Sequence, residues 1–409
     1  MFRRALAAAL TVALTAAACA SGVKSVEVKS GPGVTGETIS LGVLTDMTGP
    51  FSPTALVRIK GYELFIDELN ARSGICGRKV ELILKDHGFT VQRALDGYFD
   101  LEPKVLGFLD LTGAAMTTAI APDLIQTRAL AAPVSWSASL LGNPNMMIVG
   151  GTYDIDVMNG LDHLKRTGVI ADGDTIGHIH VDGDFGSNAL EGSTFAAQQW
   201  NLALAEKSVA EGADDLTAQI TALKAAGAKA VVLSTSPAQT ALAVVAATDL
   251  GWNVPFMVNA AGYDPAILKS LAAPAVLRQM QVVSPIAPYG TDAPGPQAVA
   301  KAFESHYPDI EPNGAVNHGY VVATAFAAVL EKACADKDLT RDGVIKAFQN
   351  TNGVETRGLT GPLRFSVAGR PSATQSYIAR PDDKVKGGLA VIENLFESDL
   401  VKAKGTRAK

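Results

Sequence analysis

The chain has 409 residues, enough for two or three domain-sized units. It is 47% hydrophobic and 19% charged, ordinary values for a globular protein with real cores. Its net charge is −6, and no block of like charges is long enough for a nucleic-acid-binding arm, so no nucleic acid is expected as a partner.

The first segment reads as a leader rather than as part of the fold. Arg3 and Arg4 precede an apolar run from Ala5 to Ala18, and small residues surround Cys19. The run is too short for a membrane span, which needs about 20 residues. Residues 1–18 are expected to be a signal peptide, and 19–37, rich in Ser, Gly and Val without apolar period, a flexible tether. Cys76 and Cys334 remain beyond it. In an oxidising compartment they either form a disulfide closing a very long loop or stay free thiols in separate places.

Apolar runs then alternate with helical periods. "TISLGVL" reads as a buried strand, and "LVRIKGYELFIDELNAR" places Ile59, Tyr62, Leu64, Phe65, Ile66 and Leu69 at mostly helical spacing. "VELILKD", "VLGFLDL" and "ALAAPVS" are further strands, separated by the helical stretches "TVQRALDGYFDLE" and "MTTAIAPDLIQTR". A βαβαβαβ series predicts a parallel sheet covered on both faces. "SASLLGNPNMMIVGG" interrupts it with turn residues, and the alternation restarts. The strands of this second set are "TIGHIHV", "LALAEKSVA", "KAVVLST", "VPFMVN" and "MQVVSPI". Three helical segments follow without strands between them, "AVAKAFESHY", "GAVNHGYVVATAFAAVLEKAC" and "RDGVIKAFQN". They must cover a sheet already built, and the simplest place is the first unit, which makes a Cys76–Cys334 bond internal to that unit. The last segments, "GPLRFSVAGRPSATQSYIARP" and "GGLAVIENLF", read as short strands and turns.

Open parallel sheets bind ligands at strand ends. Neither a G-x-G-x-x-G after the first strand nor a G-x-x-x-x-G-K-[ST] occurs, and H-E-x-x-H and G-x-S-x-G are absent. "DGDFG" resembles the start of a calcium loop, but Ser193 stands where that loop needs a bidentate Glu. His178 and His180 alternate on one strand face as plain polar positions, since no third metal ligand is evident. His163 and His306, in helical stretches, are expected to be exposed; His87 and His318 lie near element ends and are weak site candidates. No metal and no cofactor are expected. The strand ends carry small, aromatic and hydroxyl residues instead: Phe51; Gly113, Ala114 and Ala115, whose backbone N–H groups open a helix; Ser135, Trp136 and Ser137; Phe185; Thr235; and Tyr263. Rings, hydroxyls and backbone donors suit recognition of a small molecule more than its transformation.

The order of parts resembles the type I periplasmic solute-binding proteins of the branched-chain amino acid group, which serve ABC importers. The matching stretches are "LGVLTDMTGPF", "KGYELFIDELNARSGICGRKVELILKDHG", "LAAPVSWSASL", "VDGDFGSNALEG" and "GLTGPLRFSVAGR". The resemblance implies an α/β fold of two doubly wound lobes, with mainly parallel sheets joined by a three-crossover hinge. The first lobe would take residues 38–152 and 284–365, the second 153–283 and 366–397, leaving a tail at 398–409. It implies a non-enzymatic monomer outside the cytoplasm that closes on a small-molecule ligand and docks on permease subunits, either held to the membrane by a lipid on Cys19, whose setting resembles a bacterial lipoprotein signal, or released into the periplasm after an ordinary secretory cut. A sensory receptor of the same fold and a secreted α/β enzyme are the alternatives. Amino-acid binders of that group hold the ammonium with an acid of the second lobe; the corresponding "VNAAGYDP" offers Ala260 or Ala261, with Asp264 a possible substitute whose stronger reading is a helix N-cap. A buried ammonium without a partner is costly, so the expected ligand is an apolar or aromatic compound, an amide or a carboxylic acid. Trp136, Phe51, Phe185 and Tyr263 would wall it.

Overall fold

The computed structural model describes residues 28–407. The expected leader, Cys19 and the first part of the tether lie outside the described residues.

The chain builds a first sheet, crosses to a second, returns and crosses again. In chain order the first set is β1 (Lys29–Ser30), β2 (Thr38–Thr45), α1 (Ser52–Ala71), β3 (Lys79–Asp86), α2 (Val91–Leu101), β4 (Gly107–Thr112), α3 (Ala114–Thr127) and β5 (Ala131–Val134). The second is α4 (Tyr153–Arg166), β6 (Thr175–Val181), α5 (Asp184–Trp200), β7 (Ala203–Val209), α6 (Thr217–Ala225), β8 (Ala230–Ser234), α7 (Pro237–Asp249), β9 (Phe256–Asn259), α8 (Ala273–Gln279) and β10 (Met280–Ser284). The chain then forms α9 (Pro294–His306), α10 (Gly314–Ala335), β11 (Asp338–Leu339), α11 (Arg341–Gln349), β12 (Asn352–Val354) and β13 (Leu363–Arg364) on the first lobe. It ends on the second with β14 (Ser376–Pro381), β15 (Leu389–Phe396) and α12 (Asp399–Arg407).

The first sheet runs β3-β2-β4-β5, all parallel; the second runs β15-β14-β10-β9-β8-β6-β7, with β14 and β15 antiparallel. Strands β4 and β8 are buried at every position, which is why they read as unbroken apolar runs: helices cover both faces. Each sheet accordingly has two cores. On the first lobe, one lies under α1, α10 and α11, the other under α2 and α3.

The three crossings lie side by side. Gly150 N–H donates to Ser372 Oγ at 3.0 Å, Ala287 N–H to Leu359 O at 2.8 Å, and Thr360 Oγ to Pro285 O at 2.7 Å. Gly150 sits at φ 107°, where a side chain would also meet the Pro285 ring, so glycine is required there. Cys76 and Cys334 are bonded, with Cα atoms 5.8 Å apart, joining the turn after α1 to the end of α10 within the first lobe.

Four expectations need correction. Residues 28–37 are not free tether: β1 pairs in parallel with β11, and Val34 bridges Ile39. Backbone pairing needs no hydrophobic period, so the sequence pattern was blind to it. The tail forms α12, laid along α4 with Lys404 paired to Asp154. A short helix, α8, fills the stretch before "MQVVSPI" to which the sequence reading assigned no element. His163 is buried, its Nδ1 2.5 Å from Glu393.

Candidate ligand site in the cleft

Between the lobes lies a cavity of about 850 Å³, toward the upper end of small-molecule sites. Eight of the ten residues expected at a site line it: Phe51, Gly113, Ala114, Ala115, Trp136, Phe185, Thr235 and Tyr263. Ser135 and Ser137 do not. Ser135 is buried beside Tyr153, and Ser137 caps the turn that follows, accepting from Ser139 N–H at 3.4 Å.

Two carboxylates that sequence reasoning passed over build the loop carrying Phe51. Asp46, fully buried, accepts from Gly49 N–H at 2.6 Å and Phe51 N–H at 2.8 Å. Asp86 accepts from Met47 N–H, the Thr48 hydroxyl, Gly88 N–H and Arg93. Burial works against its charge, yet bonds from Thr48, Met47, Gly88 and Arg93 hold its carboxyl well below the usual range. The loop therefore presents the Phe51 ring, which meets Phe89 at 4.8 Å, from a fixed frame.

Rings also connect the lobes. His318 stacks on Trp136 at 4.8 Å, Trp136 meets Tyr153 edge-on at 6.0 Å, and Tyr153 meets Phe185 at 4.5 Å. Trp136 is fixed by donating from Nε1 to Val149 O at 2.9 Å. Several cavity hydroxyls are already spent. Tyr263 donates to Gly388 O at 2.6 Å, and Thr235 shares a bond with Thr240 at 3.0 Å. Their apolar parts remain for a ligand.

The first lobe contributes Arg58, Thr112 and His318 to the wall; the second contributes Asp182, Asp184, Glu211 and Asp264. Arg58 Nε donates to the buried Asp110 at 3.0 Å, and Nη2 to Thr45 and Thr112 at 3.0 and 2.6 Å. Burial opposes the guanidinium charge, but Asp110 outweighs it and raises its pKa. Burial, with Arg58 beside it, pushes the His318 imidazole down to about 3, so it is neutral. Two acids tie the lobes together across the mouth. Thr54 donates to Asp264 at 3.2 Å and Thr118 to Asp184 at 2.9 Å. Asp264 also accepts from Ala266 N–H at 2.8 Å, which makes it both cap and tie. Ala260 and Ala261 line the cavity and bring no charge. Among the described residues no group of three or more His, Cys, Asp and Glu is placed to hold a metal ion.

Two lobes on three adjacent crossings, shut by cross-cleft bonds over an apolar chamber, define a two-lobed ligand-binding protein of the α/β class. The chain matches the model of the periplasmic binding protein family over residues 38–387 and belongs to that family. Its structure is similar to a fatty acid ABC transporter substrate-binding protein from Thermomonospora curvata, at 34% identity and TM-score 0.88, over 92% of this chain and 96% of that one. It also resembles a branched chain amino acid ABC transporter protein from Thermus thermophilus with bound valine, at 16% identity and TM-score 0.76, over 91% and 100%. A leucine binding protein from Thermotoga maritima aligns at 15% identity and TM-score 0.75, over 88% and 99%. The last two likenesses are of fold alone. A search of curated protein sequences gave no match.

Proposed function

We propose that this protein is the extracytoplasmic receptor of an ABC importer, and that it captures a small, largely apolar organic solute rather than a standard amino acid. The observation that carries this reading is the cavity between the lobes, walled largely by rings and aliphatic side chains, with Ala260 and Ala261 at the place where the family resemblance expects the acid for an ammonium, and with Asp184 and Asp264 already engaged by Thr118 and Thr54. The relative at 34% identity, titled as a fatty acid substrate-binding protein, supports an apolar acid among the expected solute classes. Ligand favours the closed form by touching both lobes at once. The protein works as a monomer without catalysing a reaction, is anchored through Cys19, and delivers its solute to permease subunits.

Titration calorimetry with a panel of fatty acids, aromatic acids, amides and branched-chain amino acids tests the reading, with small-angle scattering as a second measure. Binding of an apolar solute at micromolar or tighter Kd, with a fall in radius of gyration, is expected. Valine and leucine should give no heat. Absence of binding across the panel, or preference for a zwitterionic amino acid, overturns it.

A further inference from the structure

We propose that the solute is an extended aliphatic chain lying across the strands of the second lobe, and that the loop between β14 and β15, residues 382–388, is the stop that sets its length. This rests on the reading of the cleft as a solute site and names the shape of what it takes.

The length follows from the order of the sheet. Val181 of β6, Thr235 just after β8, Ala260 just after β9, Val282 of β10 and Leu389 of β15 all line the one cavity. From β6 the sheet runs through β8, β9, β10 and β14 to β15, a distance of about 24 Å at roughly 4.8 Å per strand. A carbon chain with bonds of about 1.5 Å advances about 1.3 Å per carbon when it zigzags, so about 18 carbons cover that distance. A valine-sized solute would touch neighbouring strands alone. The rest of a chamber of about 850 Å³ would then hold water, at about 30 Å³ per molecule.

The second lobe's side of the cavity gives that water few partners. The Thr235 and Tyr263 hydroxyls are taken up by Thr240 and Gly388, and Ala260 and Ala261 carry none. Asp184 and Asp264 are engaged at the mouth by Thr118 and Thr54. Apolar contact along the whole length is what this surface offers, and a chain is the shape that uses it.

The stop is made where a loop of one lobe seats on the other. Gly387 lines the cavity, as Leu389 does. Asp382 N–H donates to Gly388 O at 3.0 Å and Gly388 N–H to Val385 O at 2.9 Å, which folds the loop tightly. Tyr263 fixes its base by donating to Gly388 O at 2.6 Å. A Cβ on Gly387 would stand 2.7 Å from Tyr289 Cβ, so the loop rests against the first lobe's core. Lys386 pairs with Glu304 of α9 at 2.9 Å, a second link to the first lobe. Closure of the lobes therefore shuts this end, and Leu389, half-buried at the foot of the loop, is the side chain the solute's end meets.

The test titrates the whole protein with straight-chain alkanoates from octanoate to eicosanoate, below their micelle concentrations, by competition calorimetry, with benzoate and benzamide alongside. Affinity should rise about fourfold per added CH₂ and level off near about 18 carbons. In Leu389→Trp it should level off at a shorter chain, and in Leu389→Ala at a longer one, with thermal unfolding to check that both are folded. Lys386→Glu, on the surface, sets like charge against Glu304 and should let still longer chains go on gaining. Levelling off at about ten carbons, roughly half the span, overturns the extended chain, and one levelling point shared by the wild type and all three variants overturns the stop; either leaves the receptor reading standing. Binding of benzoate or benzamide without any alkanoate does the same. No binding of any of these compounds overturns both.

Discussion

Asp156 lies in the first turn of α4, fully buried, accepting from Ser376 Oγ at 2.7 Å beside the third crossing. Burial pushes its carboxyl up to about 8, against the bond from Ser376 and aided by repulsion from Asp154. The folded value is thus above the unfolded one, so the fold favours the protonated form. This contribution to stability is whole below about pH 4 and is lost as pH rises through about 8. Asp156→Asn should therefore stabilise the fold most at pH 8 to 9, by on the order of a few kcal/mol, with a higher melting temperature there, and the gap should close toward pH 4; a pH series of thermal melts measures it. Residues of this kind were illegible in the sequence. Phe51, Trp136, Phe185 and Tyr263 could be read as site residues because rings at strand ends have few other uses. His318 gave only a weak signal, as a histidine near an element end, and Arg58 sits on a helix face that otherwise reads as core.

At the scale of elements, α1 and α10 touch backbone to backbone: a Cβ on Gly319 would stand 2.2 Å from Arg58 O, and one on Gly61 2.3 Å from Val316 O. Gly319→Ala forces a Cβ against Arg58 O. The cost should be about 1–3 kcal/mol, seen as a lower urea midpoint. Helices and strands here were legible from period and length, down to most of their residues. The glycines that let two helices touch carry no periodic signal, and their partners lie far off in the chain. The same holds for Asp46 and Asp86: a carboxylate in a loop looks solvated until the backbone N–H groups it collects are seen. The β1–β11 pair and the docking of α12 were missed for a related reason, since both are made by segments without an apolar period.

For the molecule as a whole, the two-lobe division was legible in the interruption and restart of the β–α alternation, and the return of α9 to α11 followed from helices with no strands of their own. The disulfide sits inside one lobe and closes a long loop. Replacing Cys76 and Cys334 together by Ser should cost about 2–5 kcal/mol of stability, measured as a lower denaturant midpoint, and should leave ligand affinity unchanged because the bond lies at the end of α10 remote from the cavity. Helix α10 itself supplies the measure of that remoteness. Its first turns line the chamber, and its 22 residues carry the chain about 33 Å away, to the short strand that β1 grips. The described chain therefore begins beside the end of α10 that points away from the cavity.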